Sequence, residues 1–403
     1  LTPAASFFSI EEKSRQERKM DKIKVGVIGI GFIGAAHVEA LRRLPGIEVA
    51  AIAHSSDEKA KAKGEELGIE QTYGEHRRLL ENKEIDAVHI CTPNHLHHPQ
   101  TMDALAAGKH VLCEKPLAVT VKEAQDLVTQ ADSSGLVTAV HFNIRFYPLM
   151  SHIRAMIASG ELGEIYAVHG SYLQDWLFYD TDYSWRLEPE YSGESRAVAD
   201  IGSHWMDLIE FLTGDRIAEV CADLATVFET RKKPLKSVET FSGKLLKPED
   251  YEEIPIGTED YATVLLHFAG GARGVFTVSQ VSAGRKNRVY FEIDGSKKSV
   301  AWESELPNQM WIGRRDGPNE LLLRDPSLVH AESRELIGFP GGHNEGFPDT
   351  AKQLCRRFYT AVRAGAPAKA GSYPTFADGL RELELCDTIL RSNKKRSWLA
   401  VGK

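Results

Sequence analysis

Three short stretches of the chain set reactive side chains at spacings that chemistry can use. Asp200-Ile201-Gly202-Ser203-His204 holds a carboxylate and an imidazole four residues apart, one turn of a helix and one face. A histidine within reach of a carboxylate is the usual general acid/base for a hydroxyl or carbonyl. Asp200 can orient and charge-stabilise His204, or sit at the positive helix N-terminus itself; the plainer alternative is an exposed ion pair. Glu114-Lys115-Pro116 carries a cation on a turn, either as a solvated charge or facing the reacting end of a ligand. Thr92-Pro93-Asn94-His95 opens a third stretch, in which His95, His97 and His98 crowd three imidazoles into four residues. No carboxylate or cysteine nearby completes a ligand set, so no metal site is expected.

These residues need a scaffold, and it begins at Lys24-Val25-Gly26-Val27-Ile28-Gly29-Ile30-Gly31-Phe32-Ile33-Gly34. An apolar strand runs into three glycines at G-x-G-x-x-G spacing, and an Ala- and Leu-rich helical pattern follows. Gly29 permits the tight turn, Gly31 lets backbone approach a pyrophosphate, and Gly34 lets helix and sheet pack closely. The helix N-terminus then offers free N–H groups to phosphates. Thr92-Pro93-Asn94 and Lys115 fall at carboxyl ends of further expected strands, where an open α/β sheet binds its ligands.

About 20 residues past the glycines, where a carboxylate is expected to hold the adenine ribose, stand His54, Ser55 and Ser56. Asp57 and Glu58 come slightly late and suit the following helix. Without an acid there, a 2′-phosphate is not repelled; without an arginine, it is not favoured. NAD and NADP both stay open.

Strands and helices alternate in short units up to residue 143, which argues an α/β Rossmann domain with a parallel sheet over 21–143. Beyond it, strand-like runs follow one another with hairpin signals at Gly270-Gly271 and Asp294-Gly295. Residues 144–403 therefore read as an α+β domain with a large open, mainly antiparallel sheet, for substrate binding and oligomerisation, with a C-terminal helix able to pack back on the first domain. Glu229 to Thr258 reads as a long loop, and residues 1–20 as an extension without a role in function. The net charge of −8 recruits neither nucleic acid nor anionic membrane. No apolar run approaches the ~20 residues of a membrane span. Five scattered cysteines form no framework, which suits a reducing, cytoplasmic setting.

Taken together, Gly29-x-Gly31-x-x-Gly34, Thr92-Pro93-Asn94, Glu114-Lys115-Pro116, Asn143-x-Arg145 and Asp200-x-x-x-His204 resemble the Gfo/Idh/MocA oxidoreductases, the glucose–fructose and inositol dehydrogenase family. They stand in the family's order from residue 21 onward. The resemblance implies a catalytic group of Lys115, Asp200 and His204, with His204 the acid/base on a hydroxyl. Lys115 and Asp200 would hold substrate and cofactor, Lys115 also polarising the oxygen. The implied cofactor set is Gly29, Gly31, Phe32, Ile33 and Gly34 at the turn, His54, Ser55 and Ser56 at the ribose, and Thr92, Pro93, Asn94, His95, Glu114, Lys115, Asn143 and Arg145 along the strand ends. The segments around Trp176, Trp185-Arg186, Arg196 and Pro340–Phe347 look like the levoglucosan dehydrogenase-like branch. Gln174, Trp176, Trp185, Arg186 and His343 are then candidates for sugar contact, since an aromatic face covers ring C–H groups.

The leading expectation is an NAD- or NADP-dependent dehydrogenase of a sugar, anhydrosugar, glycoside or cyclitol, with position 3 of a pyranose implied by the branch. A glycoside hydrolase or lyase using transient oxidation is the rival; Tyr172, Asp175 or His343 would supply its extra acid/base. A dinucleotide-sensing module without catalysis is the third reading. An open sheet that exposes apolar surface calls for a partner, so a homodimer or homotetramer through that sheet is expected.

Overall fold

The computed structural model describes residues 22–236, 247–366 and 371–402, so the extension 1–20 lies outside the described residues. Strands β1 (Ile23–Ile28), β2 (Ile47–Ala53), β3 (Gln71–Tyr73), β4 (Ala87–Ile90), β5 (His110–Cys113) and β6 (Thr138–Val140) form one sheet in the order β3-β2-β1-β4-β5-β6. Every neighbouring pair in it is parallel. The strand order reverses between β1 and β4, and ligands bind such sheets outside the carboxyl ends at that point. Helices α1 (Phe32–Arg42), α2 (Asp57–Leu67), α3 (His76–Leu80), α4 (His97–Ala106) and α5 (Val121–Ser134) make the crossovers. The short β3, with no apolar run of its own, was not anticipated.

The chain leaves β6 through a 3-10 turn, Asn143–Phe146, into α6 (Pro148–Ala158). A nine-stranded sheet follows, built from β7 (Ile165–Leu173), β8 (Ile217–Ala225), β11 (Tyr261–Phe268), β12 (Arg273–Ser279), β13 (Arg288–Gly295), β14 (Ser299–Glu303), β15 (Gln309–Gly313), β16 (Glu320–Leu323) and β17 (Leu399–Ala400). Only β7 and β12 pair in parallel. One face buries Val168, Phe276, Phe291 and Trp302 against α6, α7 (Ser203–Thr213) and α9 (Phe376–Lys395); Trp205 stacks on Phe276 at 4.6 Å.

Two expectations change here. Within Glu229–Thr258, β9 (Thr230–Pro234) and β10 (Tyr251–Pro255) pair antiparallel, so that stretch is not simply loop; consecutive charged residues and a terminal proline in each strand hid the pairing. The open face of the nine-stranded sheet is mixed rather than apolar. Thr263 pairs with Thr277 (3.2 Å), Tyr290 with Glu292 (2.7 Å) and His169 with Asp294 (3.3 Å), the alternation of a sheet with one buried face. Helices α8 (Phe347–Ala364) and α9 both return to the first domain. Leu354, Phe358 and Tyr359 join Val25, Val27 and Leu41 in one core, while Phe376 and Leu383 join Leu117 and Leu127 in another. No helix among the described residues is long and apolar enough to cross a membrane.

Candidate active site

A cavity of about 900 Å³ runs from the glycine turn, across the carboxyl ends of the parallel strands, to the second domain. That size suits an extended ligand of cofactor dimensions. At its first end, Gly29 has φ of +92°, and a Cβ there would lie 2.7 Å from the Cys91 carbonyl carbon. A Cβ on Gly34 would lie 2.1 Å from the Gly29 carbonyl oxygen, so this glycine is a packing requirement. Gly31 is different: a Cβ there meets nothing within 4 Å. Its face is open to the cavity, where a pyrophosphate would lie. Helix α1 begins at this point with no side-chain cap and no acid in its first turn. Its N-terminus therefore suits an anionic ligand, and the cradle fits a dinucleotide.

Phe32, Ile33, His54 and Ser55 line the same cavity, with Thr92, Pro93 and Asn94 farther along. Ser56 does not: its hydroxyl caps α2 by accepting from the Lys59 N–H at 3.2 Å. His95 also stays outside the lining, its ring edge-on to Tyr191 at 5.1 Å. His97, in contrast, faces the Thr92 carbonyl (2.8 Å) and the Pro116 carbonyl (2.7 Å), tying the two functional turns together. Asn143 lines the cavity and donates to Thr350 Oγ1 at 2.6 Å, fixing α8. Arg145 is buried structure: its guanidinium pairs with Asp207 and, at 3.0 Å, with Asp378, and it does not reach the cavity.

At the far end Lys115, Asp200 and His204 meet at one wall. Lys115 Nζ donates to Asp200 Oδ1 at 2.8 Å and to the Asp200 carbonyl at 2.7 Å. Gln280 Nε2 donates to Asp200 Oδ2 at 2.9 Å, and Arg186 Nε stands 3.5 Å from Oδ1. Burial opposes ionisation of Asp200, but Lys115 and Arg186 outweigh it and hold the carboxyl well below its ordinary range. The expected Asp200–His204 contact is absent. Residues Val198–Gly202 form a π-turn ahead of α7, and the carboxylate is taken up by Lys115 and Gln280. Glu259 steadies that turn, accepting from the Ser195 hydroxyl (2.8 Å) and the Arg196 and Val198 N–H groups (both 2.9 Å).

His204 is buried edge-on to Phe142 at 5.5 Å, and its Nδ1 has no protein partner. Burial first, then the Lys115 charge, lowers its pKa well below the ordinary value, with Glu114 and Asp200 pulling the other way. The ring is therefore neutral at neutral pH, the form that can accept a proton. Beneath it Glu114 accepts from His141 Nδ1 (2.7 Å) and His37 Nε2 (2.9 Å); His37 Nδ1 meets His89 Nδ1 (2.7 Å), and His89 Nε2 meets the Tyr359 hydroxyl (2.8 Å). Burial works against ionised Glu114, but the two imidazoles hold it well below the carboxylate range. An ionised carboxylate only accepts, so the protons in this chain run from Tyr359 through His89 and His37 towards Glu114.

The second domain closes the wall with Tyr172, Gln174, Trp176, Trp185 and Arg186. Asn287 Oδ1 accepts from the Tyr172 hydroxyl (2.7 Å) and from Gln174 Nε2 (2.8 Å), while Gln174 Oε1 accepts from Trp176 Nε1 (2.8 Å). The Arg186 guanidinium lies over the Trp185 ring at 4.4 Å. His343 is exposed, outside the lining, on a loop anchored by Arg324 and Glu345. Asn287 and Gln280 were not anticipated. They sit just beside β13 and β12; the pairing of β7 with β13 brings Asn287 opposite Gln174, and Gln280 meets Asp200 from the end of β12. Glu75 and His76, after β3, also line the cavity unforeseen.

The chain is similar to known proteins over most of its length. Residues 23–142 match the oxidoreductase family with an NAD-binding Rossmann fold, and residues 150–301 match the GFO/IDH/MocA C-terminal domain. An uncharacterized oxidoreductase of Rhizobium meliloti is 38% identical, covering 95% of this chain and 100% of its own. Levoglucosan dehydrogenase of Pseudarthrobacter phenanthrenivorans is 29% identical over 95% of this chain and 99% of its own. A solved levoglucosan dehydrogenase in complex with NADH and levoglucosan superposes with a TM-score of 0.83 at 28% identity, covering 95% of this chain and 100% of that one. The chain belongs to the Gfo/Idh/MocA family of NAD-binding oxidoreductases.

Proposed function

We propose that this member of the Gfo/Idh/MocA family oxidises a CH–OH group of a sugar, anhydrosugar, glycoside or cyclitol, with His204 as the acid/base. The observation that carries the reading is the meeting of neutral His204 and the Lys115–Asp200 pair at the end of a cavity that starts at the glycine cradle. Bound along that cavity, the nicotinamide dinucleotide supplies the hydride acceptor. His204 takes the hydroxyl proton as hydride leaves the same carbon, and reduction runs in reverse. Lys115, oriented by its hydrogen bonds to Asp200, stabilises the negative charge that grows on the oxygen. Trp176, Trp185 and Arg186 offer apolar faces and donors suited to a polyhydroxylated ring.

The hydrolase reading has less support. Burial raises the Tyr172 phenol above its ordinary range, and Asp175 is paired with Lys286 at 2.7 Å. A panel of pyranoses, glycosides, anhydrosugars and inositols decides between the two. Gain of NADH absorbance with an identified substrate supports oxidation; cleavage of a glycoside without net NADH overturns it. Retention of full turnover by His204→Ala on that substrate would refute the role of His204.

We also propose self-association through the mixed open face of the nine-stranded sheet, into a dimer or tetramer, in a reducing cytoplasmic setting. A monomer by sedimentation at working concentration would end the first part.

A further inference from the structure

The carboxylate missing after β2 has a counterpart that comes from another strand. His54 N–H donates to the Tyr73 carbonyl at 3.0 Å, so the turn after β2 and the turn after β3 are joined. Gly74, Glu75 and His76 follow Tyr73 and line the cavity beside His54 and Ser55. Glu75 thus brings a carboxylate to the corner where the second strand of such a fold usually supplies one, while its Oε1 also caps α3 by accepting from the Arg77 N–H at 3.4 Å and stands 3.7 Å from His76 Nδ1. Asp57, the other acid nearby, is spent on the loop itself: it accepts from the Gly74 N–H (2.7 Å) and pairs with Arg78 (3.1 Å). His54 is turned inward, its Nδ1 accepting from its own neighbour's N–H, that of Ser55, at 2.7 Å.

We infer that Glu75 is the residue that selects NAD over NADP, its carboxylate accepting from the adenine-ribose hydroxyls and repelling a 2′-phosphate. The cations around this corner are largely committed. Arg78 is held by Asp57, Arg77 and His76 by Asp103 (both 2.9 Å), and Lys63 by Glu66 (2.7 Å). Lys59 and Lys63 on α2 are the positive charges whose fields reach His54. A phosphate entering here would face the Glu75 and Asp57 carboxylates against these two lysines, one of them paired with Glu66. Two unit charges a few ångströms apart near a protein surface interact strongly enough to change an affinity by about tenfold or more.

The inference rests on the cavity holding a dinucleotide, and the experiment separates the two. Binding of NAD and of NADP to the ligand-free protein is measured by calorimetry for wild type, Glu75→Gln and Glu75→Arg, with the thermal midpoint of each variant as a check on folding. Wild type is expected to bind NAD at least tenfold tighter. Glu75→Gln should weaken NAD a few-fold and tighten NADP about tenfold, and Glu75→Arg should reverse the preference. No binding of either cofactor would overturn the dinucleotide reading itself. Equal binding of both by wild type, with Lys59 taking the phosphate, would overturn the role of Glu75. So would an unchanged ratio in both folded variants.

Discussion

At the scale of single residues, the proposed acid/base His204 is governed by what surrounds its ring. His204 is lowered by burial and by Lys115, so its neutral form persists below the ordinary histidine value of about 6.5. The kcat/KM for alcohol oxidation should therefore stay level as pH falls to that value and decline only below it. Lys115→Met removes a cation that disfavours imidazolium, so the histidine pKa rises and the acid limb moves to higher pH, with a lower plateau. A pH–rate profile of both proteins checks the sign. His204→Ala should cost roughly 10²–10⁴-fold in kcat with little change in NAD affinity. The glycines offer a second contrast. Gly31→Val adds a side chain into open cavity, so the protein should fold with an unaltered thermal midpoint but lose NAD binding. Gly34→Ala drives a methyl to 2.1 Å from the Gly29 carbonyl, so it should damage folding as well. Calorimetry and thermal melts of the pair separate ligand space from packing space.

At the scale of elements, the position of Asp200 depends on a turn that buried charge holds in place. Arg196 precedes the π-turn that carries Asp200. Its guanidinium reaches Asp260, the Thr258 hydroxyl (3.1 Å) and Gln280 Oε1 (2.9 Å), while Arg231 binds Asp260 at 2.8 Å. Arg196, Arg231 and Asp260 are almost fully buried. Asp260→Ala leaves two buried guanidinium groups short of their counter-charge and should destabilise the fold by about 3–5 kcal/mol in urea unfolding. Despite burial, the two arginines hold the Asp260 pKa below its ordinary value. The contribution is therefore complete above the unfolded carboxylate pKa of about 4 and fades as pH falls through the folded value. Gln280 links this cluster to Asp200, so loss of activity should precede loss of secondary structure as the cluster is weakened.

At the scale of the whole molecule, the first domain does not complete its own cores, while the second holds a core of its own. Phe358 and Tyr359 on α8 are buried against β1 and α1, and Tyr359 closes the histidine chain that ends at Glu114. Phe358→Ala should cost about 3–5 kcal/mol, and because it sits far along the chain from β1 yet in the same core, the loss should weaken NAD binding too. Unfolding followed by circular dichroism with and without NAD tests this. At a hundredfold excess over Kd the cofactor should add about 2.7 kcal/mol to wild type, and less to the variant. A protein truncated before Phe347 should lack a folded dinucleotide domain altogether.

Local spacing in the chain was enough for the scaffold: the glycine turn and each strand–helix unit are encoded within a few residues, where backbone geometry leaves few alternatives. Lys115, Asp200 and His204 stood out as a group through the order of several such motifs and the family they resemble, since each motif alone left a plainer alternative open. Tertiary structure decided the partnerships. Asp200 turns to Lys115 and Gln280 rather than to His204, because residues 85 and 80 positions away compete for the same carboxylate. Arg145 and His343, plausible from their segments, are removed from the cavity by a buried ion pair and by an exposed loop. Glu75 and Asn287 enter it from strand ends whose neighbours are set by sheet order. Charge and hydrogen bonding between distant segments depend on which strands lie side by side, and no local pattern carries that information.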